Sequence, residues 1–95
     1  MNIHLTDEAI TWFEDELDLQ EGDSIRFFAR YGGTSTHQAG FSLGMEKETP
    51  ISIGASLQKN GIQYFIEEND LWYFNNLDLC IHFNSEKDEI TYLIE

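Results

Sequence analysis

Ile53-Gly54-Ala55-Ser56-Leu57-Gln58-Lys59-Asn60-Gly61-Ile62-Gln63-Tyr64-Phe65-Ile66 is the stretch whose reading decides the fold. Apolar residues recur at every second position from Ile51 through Ile53, Ala55 and Leu57, and the same period resumes at Ile62, Tyr64 and Ile66. Side chains alternate between the two faces of a strand, so a period of two marks a strand with one covered face. Between the two runs stands Asn60-Gly61, a dipeptide suited to a type I′ turn, in which both central residues take positive φ. The segment is predicted to be a β-hairpin.

The same arguments extend in both directions. Downstream, Glu68-Asn69-Asp70 interrupts the alternation, and Leu71, Trp72 and Phe74 read as one short helical turn capped by Asn69. Leu77, Leu79, Ile81 and Phe83 then predict a strand, Ser85 to Asp88 a polar turn, and Ile90, Tyr92 and Ile94 a closing strand. Upstream, Asn2 to Leu5 is an extended lead-in, and Thr6 offers a hydroxyl to cap a helix from about Asp7 to Asp18. Ile10, Phe13 and Leu17 form its apolar stripe, Glu14, Asp15 and Asp18 face water, and Gly22 supplies the stop.

From Ser24 the period changes to two, with Ile25, Phe27, Ala29 and Tyr31 on one side and Arg26, Phe28 and Arg30 on the other. A further strand is read from Ala39, Phe41, Leu43 and Met45, interleaved with Gly40, Ser42 and Gly44, and Pro50 marks a polar break. The expected fold class is α+β, mainly β. One N-terminal helix packs on a mostly antiparallel, sandwich-like or barrel-like sheet of about six or seven short strands, in a single domain spanning 1–95.

Composition bounds the function. A chain of 95 residues with 41% hydrophobic and 14% aromatic content can bury on the order of 60–65% of its unfolded surface and form a genuine core. Eighteen acidic residues against five basic ones give a formal charge of -13, which opposes nucleic-acid phosphates and anionic lipid alike. Eight of the acids lie between Asp7 and Asp23, and no Lys or Arg precedes Arg26. The plainer reading of that concentration is a solvated helix face; the alternative is a docking surface for a basic protein partner. A lone Cys80, no apolar run of bilayer length and no export-signal pattern at the N-terminus lead to the expectation of a cytoplasmic protein.

Arg30-Tyr31-Gly32-Gly33-Thr34-Ser35-Thr36 is the candidate binding loop, because paired glycines admit left-handed backbone and let amides approach a ligand or partner. An anion nest at Gly32-Gly33 near Arg30 competes with the simpler view that the glycines turn the chain. The alternative, a small-ligand or metal-binding module, rests on Asp78, Cys80 and His82, which alternation places on one face about 7 Å apart, with His37 or His4 as a fourth metal ligand from elsewhere. Its plain counterpart is a half-buried thiol beside a surface histidine. No catalytic residue is assigned: Ser35, Thr36 and His37 are sequence neighbours without a nucleophile elbow, and the glycine loop lacks the lysine and spacing of a phosphate-binding loop. The expectation is a protein that is not an enzyme.

The N-terminal strand and acidic helix followed by Ser24 to Thr36, together with Asn60-Gly61-Ile62, Leu71-Trp72-Tyr73-Phe74 and Leu77-Asp78-Leu79, resemble the HesB/IscA family of A-type iron–sulfur carriers. The resemblance covers nearly the whole chain. It implies a HesB-like domain related to iron–sulfur cluster biosynthesis, a partner in that assembly, and association into dimers or tetramers. The family's thiolate positions depart here: Thr34 stands at the loop cysteine, and the chain ends Ile90-Thr91-Tyr92-Leu93-Ile94-Glu95 in place of a Cys-Gly-Cys. With the soft sulfur ligands absent, the resemblance implies a degenerate member with an accessory or protein-binding role and no cofactor, neither iron nor cluster.

Overall fold

The computed structural model describes residues 1–32 and 40–95. Among them the order of elements is β1 (Ile3–Leu5), α1 (Asp7–Glu16), β2 (Ser24–Tyr31), β3 (Phe41–Lys47), β4 (Ile53–Lys59), β5 (Ile62–Glu67), a 3-10 helix (Glu68–Phe74), β6 (Leu79–Asn84) and β7 (Glu89–Ile94). The α+β, mainly β class holds, but the strands form two sheets and no closed barrel. One has the order β1-β6-β7 and the other β3-β2-β5-β4.

Both sheets are mixed: among the described residues the strand pairs are mostly antiparallel, as expected, but two are parallel. β1 runs parallel to β6, with Ile3 opposite Leu79, and β2 runs parallel to β5, with Ile25 opposite Tyr64. Sequence-adjacent strands pair as expected in β2–β3, β4–β5 and β6–β7. The β4–β5 hairpin is then inserted with β5 beside β2, leaving β4 on the edge. This placement explains why Tyr64, Phe65 and Ile66 are all buried: a central strand is covered on both faces and so carries a continuous apolar run.

The hairpin turn forms as read, with positive φ at Asn60 and Gly61. It docks on the end of α1, where the Asn60 side-chain amide donates to Glu14 Oε2 at 2.8 Å and the Gly22 N–H donates to the Gly61 carbonyl at 2.9 Å. Thr6 caps α1 by accepting from the Ala9 N–H. The helix stops earlier than expected, at Glu16, because the chain turns left-handed at Asp18 (φ 49°), ahead of Gly22. Asn69 does not cap the downstream helical turn; Glu67 occupies that position without a side-chain cap bond, and Asn75 ends the helix with φ 50°.

The core lies between the inner faces of the two sheets and α1. Phe13 from the helix meets Phe27 and Tyr64 at ring-centroid distances of 5.9 Å each, and Phe27 meets Tyr92 of the other sheet at 6.2 Å. Ile3, Leu79 and Ile81 belong to the same buried cluster, as do Tyr73 and Phe74 of the 3-10 helix. The Tyr64 hydroxyl is buried there without a hydrogen-bond partner among the described residues, and burial, followed by the nearby Glu14 charge, pushes it up to about 12. No helix among the described residues is long and apolar enough to cross a membrane.

Candidate functional site

The opposite face of the β3-β2-β5-β4 sheet carries a polar clamp that fixes the 3-10 helix. Arg26 on β2 donates to Asp70 Oδ2 at 2.7 Å and to Glu48 Oε2 at 3.1 Å, and its guanidinium lies 5.3 Å from the Phe28 ring centroid. The hydrogen bond to Asp70 is the main reason the guanidinium is held still more firmly protonated. Glu67 accepts from the Ile51 and Ser52 N–H groups, each at 2.8 Å, and those two bonds hold its carboxyl below the usual range. The side chain of Leu71 lies over Gly54, where a Cβ would come within 2.7 Å of Leu71 Cδ1.

Clamping the 3-10 helix in this way presents a row of rings at one end of the sheet. Tyr31 closes β2 and pairs with Phe41 of β3, their ring centroids 5.8 Å apart and nearly perpendicular. Phe41 meets Trp72 at 5.2 Å and Tyr73 at 6.3 Å, and Tyr73 continues to Phe74 at 5.3 Å. The inner end of this row is core, whereas Trp72 is 50% and Tyr31 93% exposed. Edge-to-face packing on a buried support holds the outer rings in place, and large amphipathic aromatics held that way are the residue types that anchor protein interfaces. Alternation had put Tyr31 inward with Ile25 and Phe27. It sits outside because it lies at the strand end, past the buried part of the sheet.

Of the candidate loop, Arg30, Tyr31 and Gly32 are placed: the Gly32 N–H donates to the Gly40 carbonyl at 2.7 Å, and both glycines have positive φ. Gly33, Thr34, Ser35 and Thr36, and His37 of the metal reading, lie outside the described residues.

The Asp78, Cys80 and His82 alternation is as read, since Leu79 and Ile81 are buried while Cys80 is half-buried and His82 exposed. Asp78 already has partners: His4 Nε2 lies 3.0 Å from its Oδ2, and the Asn2 N–H donates to Oδ1 at 2.8 Å. These contacts, His4 first, lower the Asp78 carboxyl. The Cys80 thiol is pushed up by burial and then by the charges of Glu95 and Asp78, which favours the thiol over a metal-binding thiolate. Among the described residues no three His, Cys, Asp or Glu side chains are grouped so as to hold a metal ion.

Fold and surface together define a small domain of two mixed sheets whose most exposed rings form a supported aromatic row. No family model matches the chain. It is 48% identical over 89 residues, 94% of both chains, to the pyruvate dehydrogenase inhibitor of Bacillus subtilis. It is also 41% identical to an uncharacterised protein of Staphylococcus saprophyticus and 39% identical to one of Staphylococcus aureus, in each case over 97% of both chains. The chain belongs to the family formed with these proteins.

That membership corrects the resemblance to HesB/IscA carriers and the assignment to iron–sulfur biosynthesis, because full-length similarity leads to a protein named as an enzyme inhibitor. The resemblance rested on backbone punctuation, namely a glycine-rich loop after a strand, an Asn-Gly hairpin and a short helical turn. Unrelated mixed α+β domains share such features, and the ligand cysteines that would have made the pattern specific are absent.

Proposed function

We propose that this chain is a regulatory protein that binds pyruvate dehydrogenase and lowers its activity, acting through a protein interface and not as an enzyme. The carrying observation is 48% identity over 94% of both chains with a relative named for that inhibition. Identity at that level over the whole domain supports a shared fold and a related role. The row of Tyr31, Phe41 and Trp72 supports the reading as the anchor of the interface, and the excess of acid over base favours an enzyme surface rich in Lys or Arg. On this reading the protein works in the cytoplasm and needs no metal or cofactor.

The test is to titrate the purified chain into the pyruvate dehydrogenase of the same organism and follow pyruvate-dependent reduction of NAD+. The expected result is saturable inhibition that survives prior treatment with a chelator, with co-elution of the two proteins in size-exclusion chromatography. An undiminished rate at a large molar excess of the chain would refute the proposal.

A further inference from the structure

An apolar groove runs along the outer side of α1, between the helix and the β6–β7 connection, with a volume of about 480 Å³. Its aromatic lining is Trp12 and Phe83, both half-buried, and Trp12 is backed by the fully buried Phe13 ring at 5.1 Å and 85°. Two helical rows border it. Asp7, Thr11 and Asp15 recur four apart, as do Glu8, Trp12 and Glu16, so the carboxylates stand above and below the indole on the same side of the helix. Asp88 adds a fifth carboxylate from the turn, and among the described residues no Lys or Arg lines the groove.

We propose that this groove receives a lysine or arginine side chain from a basic segment of the partner enzyme. This deepens the inhibitor reading and rests on it for the identity of the partner. An uncharged apolar group would leave the carboxylates partly desolvated and unmatched. A bare divalent cation fits no better, because the acids do not converge into any metal-holding group among the described residues. A long basic side chain meets both demands. Its methylene stem covers Trp12 and Phe83, its charge lies over the indole face, and its N–H donors reach the carboxylates at either end. The same charge pattern speeds encounter with a basic surface.

Trp12 supplies the readout once Trp72→Phe has removed the other tryptophan. In that background the acetylated and amidated peptide Gly-Arg-Leu-Arg-Gly is titrated while Trp12 emission is followed. The expected result is a saturable change that weakens as salt is raised and is absent with Gly-Glu-Leu-Glu-Gly. Both Asp15→Asn/Glu16→Gln and Thr11→Lys, which alter exposed positions, should weaken binding about fivefold or more. No Trp12 response, an equal response to the acidic peptide, or unchanged binding by both variants overturns the groove assignment. The Asp15→Asn/Glu16→Gln and Thr11→Lys changes, made with Trp72 retained, separate the two proposals in the enzyme assay. Inhibition undiminished by variants that no longer bind peptide overturns the groove's role in the complex and leaves the inhibitor reading standing. Absence of inhibition by the unaltered chain overturns the inhibitor reading, and the peptide data then judge the groove alone.

Discussion

Replacing Asp70 by Asn should expose how much the clamp on the 3-10 helix contributes. Asp70 makes the shortest ion pair of the described residues, 2.7 Å to Arg26, with only 12% of its side chain and 24% of the Arg26 side chain exposed. Breaking a buried pair by removing one charge typically costs about 3–5 kcal/mol, and losing a charge-assisted hydrogen bond costs roughly 1.5–3 kcal/mol. Arg26 keeps Glu48 at 3.1 Å, so the lower range applies and the expected loss is about 2 kcal/mol. For a domain of this size that lowers Tm by roughly 10 °C and moves the urea midpoint down by about 1.5 M with the slope unchanged. Because Asp70 anchors the 3-10 helix to β2, the helix amides should exchange faster in the variant than in the unaltered protein, by a larger factor than those of the β4–β5 hairpin. Arg26→Met with Asp70→Leu and Glu48→Gln removes all three charges of the cluster and should recover much of the loss. An Asp70→Asn protein within about 0.3 kcal/mol of the unaltered one would show that the pair behaves as a surface salt bridge and would refute the reasoning.

Trp72→Ala and Tyr31→Ala should each weaken inhibition of pyruvate dehydrogenase roughly tenfold; Tm should move little for Tyr31→Ala, whose ring is almost wholly in solvent, and fall for Trp72→Ala, whose half-covered ring packs on Phe41 and Tyr73, so inhibition constants and melting curves are measured together. Tyr64→Phe removes a buried hydroxyl that has no partner among the described residues, so chemical denaturation should find it neutral or stabilised by up to about 1 kcal/mol. Glu67 is held below its ordinary value of 4.5 by the Ile51 and then the Ser52 amides. A carboxylate depressed in the folded state stabilises fully above its unfolded pKa, and the contribution is lost as pH falls through the folded value. The acid limb of a stability profile should therefore flatten in Glu67→Gln; an identical limb in both proteins would remove Glu67 from the account.

The local features were legible because they are written in short-range physics. Thr6 had to cap and Asn60-Gly61 had to turn, since both are properties of a few adjacent dihedrals, and alternation found the strands because side-chain direction has a fixed period. Even the central position of β5 left a trace in the unbroken run Tyr64-Phe65-Ile66, which one-sided alternation does not require. The family resemblance failed for the converse reason, since it was carried by such local features and not by the ligands that define a site.

What the sequence by itself determined is the set of elements, the acidic field around α1 and the capacity to build an aromatic core. The tertiary structure alone decided that two sheets form, that β1 meets β6 and β2 meets β5 in parallel, and that Arg26 joins Asp70 across 44 residues of chain. It also brought Phe83 beside Trp12 and stacked Tyr31, Phe41 and Trp72 into one row. These juxtapositions depend on which distant strands lie side by side. That choice is made by the burial of the whole core, a sum over contacts that no window of adjacent residues contains.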